Sequence, residues 1–85
     1  MTDNLFYNGK NDMKISIKYC AEWNYKPRAS SMGDALNKEF MADIELIAGG
    51  GGIFDISLDG KKIFSKFDTG SFPQPAEIIE LIKKG

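Results

Sequence analysis

The chain has 85 residues, with eleven basic side chains against twelve acidic ones, and 42% of it is hydrophobic. That size supports one small core, and the ordinary composition excludes wholesale disorder or a chain embedded in a membrane. A net charge of −1 offers no electrostatic footprint for a phosphate backbone, so nucleic acid is not an expected partner. There is no histidine and a single cysteine. Within one chain this rules out an internal disulfide, serine–histidine and cysteine–histidine catalysis, and a histidine- or multi-thiolate-bound metal, so no metal site is expected.

The first residues, MTDNLFYNGKND, lack the basic start and apolar run of a secretory signal. No segment reaches the roughly 20 apolar residues that span a bilayer, so no membrane association is expected. Together with the lone cysteine this points to a cytoplasmic, thiol-reducing setting. Residues 1–13 read as a flexible leader closed by the turn pairs Asn8-Gly9 and Asn11-Asp12. Residues 14–85 read as a single domain.

From Lys14 the pattern KISIKY alternates Ile15, Ile17 and Tyr19 with Lys14, Ser16 and Lys18, the period of a half-buried strand. Tyr25, Ala29, Met32, Leu36 and Phe40 then fall on one helical stripe. Pro27 is compatible with that helix only in its first turn, so the helix begins between Trp23 and Pro27 and runs to about Met41. Gly33 weakens it by about 1 kcal/mol relative to alanine, and close packing on a sheet is the simplest reason for its presence.

Asp43 to Ala48 alternates as a second strand, and Gly49 to Gly52 follow it. Strands over Ile53–Leu58 and Lys62–Phe67 flank Asp59-Gly60, a pair suited to a two-residue hairpin because both positions need positive φ. The last helix starts near Pro75, with Glu77 in its first turn, Lys83 and Lys84 in its last, and an apolar face of Ile78, Ile79 and Ile82.

The order βαβββα, with a right-handed crossover between the first two strands, predicts a mixed four-stranded sheet with both helices on one face: an α/β (α+β) fold of thioredoxin-like type. The thinly covered opposite face leaves monomer and weak homodimer both open.

Four stretches stand in register with this order: Tyr19-Cys20-Ala21-Glu22-Trp23-Asn24-Tyr25, Gly51-Gly52-Ile53-Phe54, Asp59 to Lys66, and Gly70-Ser71-Phe72-Pro73-Gln74-Pro75. Together they resemble the selenoprotein W-like (Rdx) family, which takes in selenoproteins T, W and H, over about Lys14 to Lys84. The resemblance implies a thioredoxin-like fold with a redox motif between the first strand and first helix. That motif is cysteine, two residues, then cysteine or selenocysteine. Here Cys20 takes the first position, Ala21 and Glu22 lie between, and Trp23 takes the second. No intramolecular disulfide or selenenylsulfide can form, so a self-contained dithiol reductase is not expected.

Cys20 then has two readings. A lone cysteine is commonly a small buried apolar residue. At a strand end before a helix start, the same thiol is placed where thiolate is favoured, and Lys18, Lys26 and Arg28 are near in sequence while Glu22 opposes them. Such a thiol attacks a disulfide or is oxidised to sulfenic acid, and the next step needs an outside thiol, glutathione or a protein thiol, so glutathione serves as a co-substrate rather than a bound cofactor. Trp23 either covers the helix start in place of the second thiol or presents a recognition platform. Gly50, Gly51 and Gly52 either line the site beside Cys20, as the thioredoxin comparison implies, or simply connect two strands. Phe72 either packs over the Cys20 edge or staples the last helix. The functional expectation is a thiol-redox role through the single cysteine, and the alternative is a non-enzymatic protein-binding module that kept the fold without the dithiol.

Overall fold

A computed structural model of the protein describes residues 13–84. The expected leader lies outside the described residues except for Met13. Met13 packs against the core, and its carbonyl accepts a hydrogen bond of 2.9 Å from the Asp43 N–H.

Strand β1 spans Lys14–Cys20, helix α1 Lys26–Phe40, and strand β2 Asp43–Gly49. Strands β3 and β4 follow at Phe54–Leu58 and Lys61–Ser65, and helices α2 and α3 at Lys66–Thr69 and Pro75–Lys84. The sheet order is β2-β1-β3-β4. β1 pairs parallel with β2, from Lys14 against Asp43 to Cys20 against Gly49, and antiparallel with β3. A parallel pair joined through α1, extended by an antiparallel hairpin, is the mixed sheet that the sequence order predicts.

The alternation of β1 has the predicted effect: Ile15, Ile17 and Tyr19 are buried, while Lys14 and Lys18 are exposed. Ala29, Met32 and Leu36 of α1, Phe54 and Ile56 of β3, and Ile78 and Ile82 of α3 complete one continuous cluster. α1 packs on β1, β2 and α3, and α3 reaches β4, so both long helices share one face of the sheet. Gly33 lets α1 sit close on β2, since a Cβ there would stand 3.0 Å from Ile44 Cγ2. None of the described helices is long and apolar enough to cross a membrane.

The hairpin turn has the predicted backbone, with φ of 51° at Asp59 and 87° at Gly60. Two departures lie just beyond it. The β3–β4 register shifts, pairing Ile56 with Phe64 but Ser57 with Lys62, so Ile63 is the extra residue of a bulge. The fourth strand also ends at Ser65 rather than Phe67. Lys66–Thr69 instead forms one helical turn closed by Gly70 at φ 81°, which leaves Phe67 exposed. A left-handed glycine ends such a turn without steric cost, and the alternation through Phe67 is coincidental.

α3 starts as expected at Pro75. The Gln74 N–H donates to Glu77 Oε1 at 2.8 Å and the Glu77 N–H donates to the Gln74 carbonyl at 3.0 Å, a reciprocal cap that fixes the entry of the helix.

Candidate functional site

β1 delivers Cys20 to the edge where the chain turns into α1. The turn over residues 21–24 is held by the Asn24 N–H on the Ala21 carbonyl at 3.2 Å, and by the Tyr25 N–H on the Cys20 carbonyl at 3.1 Å. Asn24 takes φ 59°, a left-handed conformation that asparagine tolerates better than most residues. The Ala21 N–H donates to the Gly49 carbonyl at 3.1 Å, which carries the β1–β2 pairing one step past Cys20.

Cys20 has 0% of its surface exposed, whereas Ala21, Glu22 and Trp23 are all exposed, Trp23 at 59%. The two positions of the motif therefore differ in kind: the first is sealed and the second faces solvent. Alternation along β1 places Cys20 on the face opposite Tyr19, away from the two long helices. The glycine loop folds over that end. A Cβ at Gly49, the residue paired with Cys20, would lie 3.0 Å from Ile53 Cγ2, so the absence of a side chain lets Ile53 close against the strand pair.

The same loop meets the residues between and after the motif positions. A Cβ at Gly50 would lie 3.6 Å from Glu22 Oε1. At Gly52, with φ 80°, it would lie 2.6 Å from Trp23 Cζ3, and Gly51 has φ 68° with open space beside it. Gly50 and Gly52 thus border the turn that follows Cys20, and Gly51 forms the outward bend between them.

Phe72 reaches this edge through Tyr25. The Tyr25 and Phe72 rings meet edge to face at 4.7 Å, Trp23 and Tyr25 at 6.0 Å, and Phe54 and Phe72 at 5.3 Å. This chain of rings runs from the exposed indole into the core, and each edge-to-face pair contributes about 0.5–1.5 kcal/mol beyond burial. The Arg28 guanidinium stands 4.1 Å from the Phe72 centroid, and Lys66 Nζ lies 5.4 Å from Phe72 and 5.9 Å from Tyr25. Sequence reading placed Arg28 as an aid to Cys20 and overlooked its stacking on Phe72 and the place of Lys66. Tyr25 at the N-cap of α1 and Arg28 in its first turn are three apart and share a helix face, and that spacing was the available signal.

A thioredoxin-like mixed sheet with Cys20 at the end of β1, before the first helix, defines the class of protein. The family model described as the Rdx family matches residues 14–84, and the chain belongs to that family. Migration and invasion enhancer 1 of Bos taurus is 29% identical over 73 residues, covering 85% of this chain and 64% of that protein. The protein of the same name in Mus musculus is 30% identical over 71 residues, covering 82% and 62%. The chain thus spans less than two thirds of the length of these two relatives. A crystal structure of a Bordetella parapertussis protein superposes with a TM-score of 0.81 at 25% identity, covering 85% of this chain and 95% of that one. A selenoprotein W-related protein from Vibrio cholerae gives 0.75 at 27% identity, covering 87% and 96%. Membership of this family implies a thioredoxin-like, redox-associated role.

Proposed function

We infer that this chain works as a protein-binding member of the Rdx family, recognising its partner through the Trp23 edge. The observation that carries the reading is the contrast within the motif: Cys20 is wholly buried while Trp23 is 59% exposed at the second position. Disulfide exchange needs an attacking thiolate with an open approach to sulfur, and a sealed thiol lacks one. The position open to solvent carries an indole instead, a side chain enriched at binding hot spots. Gly52 lies against that indole and Phe72 against the Tyr25 ring beside it, with Gly50 next to Glu22 at the same turn, and the partner is a protein.

A second reading keeps the thiol at work, favoured by Cys20 holding the first motif position beside a loop of glycines. In it the Cys20 thiolate attacks the glutathione sulfur of a mixed disulfide between glutathione and another protein, becomes glutathionylated and releases that protein's thiolate. A glutathione thiolate then attacks the glutathione sulfur on Cys20, restores the Cys20 thiolate and leaves as glutathione disulfide, so the other protein's cysteine is reduced and the incoming glutathione is oxidised. This route requires the cover over the buried Cys20 to open.

Incubation of the native protein with excess glutathione disulfide, followed by intact-mass analysis, separates the two. The binding reading expects no adduct until denaturant is added. A glutathione adduct formed rapidly under native conditions, and absent from Cys20→Ser, overturns it in favour of the single-thiol route.

A further inference from the structure

We propose that the recess between the start of α1 and the 72–75 segment is a docking site for an acidic, apolar segment of a partner protein, with Arg28 gripping the carboxylate. The recess holds about 320 Å³ and is walled by Pro27, Met32, Phe72, Pro73 and Pro75, with Arg28 at its rim. The inference rests on the reading of the Trp23 edge as a protein-binding surface, and names what that surface takes.

Three prolines make the walls stiff, so little ordering is required when a ligand enters. The volume lies at the lower end of the range for ligand pockets and suits an apolar side chain or two. The floor, Met32 and Phe72, is apolar, and the rim is cationic.

The Arg28 guanidinium sits over Phe72, 4.1 Å from the ring centroid. A guanidinium held over a ring by cation–π attraction keeps N–H donors for a second partner, and their fork matches a carboxylate in paired hydrogen bonds. Lys26 precedes it on the same helix turn, and Lys66 Nζ stands 5.4 Å from the centroid of the same Phe72 ring. No acidic residue lines the recess among the described residues. The neighbouring carboxylate, that of Glu77, is turned to the Gln74 N–H at 2.8 Å. The charge of the rim therefore complements an anion.

The recess is also continuous with the exposed indole. Phe72 and Trp23 are separated by two ring-to-ring steps of 4.7 and 6.0 Å through Tyr25. At roughly 3.3 Å per residue, about three extended residues join the recess to Trp23. A peptide segment spans both, with an apolar side chain seated between the prolines, a carboxylate on Arg28, and a neighbouring residue on the indole.

The test is a titration of the whole protein by two-dimensional NMR with a hexapeptide blocked at both ends, alanine-glutamate-phenylalanine-glutamate-leucine-alanine. The amides of residues 28–32 and of Phe72 and Gln74 shift saturably, and added sodium chloride weakens binding. A peptide with both glutamates replaced by glutamine binds at least tenfold more weakly. Arg28→Met, which keeps the apolar stem, loses a similar factor, and the glutamine peptide loses little more on that variant, because the two changes remove one interaction. Arg28 is exposed, and an unchanged melting temperature of the variant confirms that it folds.

Equal affinity for the glutamine peptide, an undiminished affinity of Arg28→Met, or no saturable shift at millimolar peptide overturns the proposal. Shifts confined to Trp23 and the 49–53 loop also overturn the recess, but leave the Trp23 reading standing. That parent reading fails separately, through the glutathione adduct described above.

Discussion

The indole of Trp23 occupies the space that a side chain at position 52 would need: a Cβ on Gly52 would stand 2.6 Å from Cζ3 and 3.0 Å from Cη2. Those atoms are the far end of an exposed side chain, so an added methyl group displaces the ring rather than the backbone. Gly52→Ala is therefore expected to move the tryptophan emission to the red, as the ring swings into water. Stability should fall by about 1–2 kcal/mol, mainly because alanine strains at φ 80°. Gly51→Ala has φ 68° and open space, so it should cost a similar amount in a denaturant melt and leave the emission unmoved. Identical emission from both variants would show that the indole does not rest on Gly52.

At Gly33 two effects oppose each other. Replacing it with alanine gains about 1 kcal/mol of helix propensity. The new Cβ, however, lies 3.0 Å from Ile44 Cγ2, and a branched side chain is stiff at χ1 and cannot turn that methyl aside. Overpacking of this kind costs about 1–3 kcal/mol, so Gly33→Ala should lower stability by about 1 kcal/mol. In an Ile44→Leu background the γ2 methyl is gone, and the same change should become neutral or stabilising. A double-mutant cycle from urea melts measures the coupling, and additive effects would exclude the clash.

The parts of this molecule legible in sequence are those governed by one local rule. KISIKY declared a half-buried strand, Asp59-Gly60 declared its turn, and Pro75 with Glu77 declared a helix start, because pleat, φ sign and capping act within a few residues. The fourth strand was overextended because Phe67 continues the alternation by parity, and only the return of Gly70 shows where the chain leaves the sheet. The bulge at Ile63 leaves no mark in composition. At the site, only the family resemblance pointed to Cys20 and Trp23 as motif positions. The burial of one and exposure of the other arise from tertiary packing at this end of the sheet, where Ile53 comes close to Gly49, and no periodicity records such contacts. The stacking of Arg28 on Phe72 was hidden for the same reason, since 44 positions separate them.

Asp59 does more than turn the hairpin. Its N–H donates to the Lys14 carbonyl at 2.8 Å and its Oδ1 accepts from the Lys14 N–H at 2.9 Å, so the hairpin tip is bound to the first residue of β1. Asp59→Ala loses the side-chain bond and places a residue poorly suited to φ 51° in the turn. The expected cost is about 1–2 kcal/mol in thermal unfolding. Asp59→Asn retains both the amide oxygen and the tolerance for positive φ, and should stay within about 0.5 kcal/mol of the parent. A loss as large as that of alanine would assign the effect to the negative charge instead.

The burial of Cys20 has a kinetic consequence that separates its two readings. A thiol with no exposed surface reacts with iodoacetamide only from conformations in which its cover has opened, so the native rate should fall by orders of magnitude below that of the urea-unfolded chain. How the rate rises with sub-denaturing urea tells which opening operates. If Cys20 is sealed by the fold as a whole, the logarithm of the rate climbs with the slope of global unfolding, because the surface exposed is that of the entire domain. If the 49–53 loop alone opens, little surface is exposed and the slope is near zero. The binding reading expects the steep dependence, and a flat, fast reaction supports the single-thiol route. Gly52→Ala sharpens the comparison: it raises a steep-slope rate only in proportion to its loss of global stability, whereas a larger increase would identify the Trp23–Gly52 contact as the latch over the thiol.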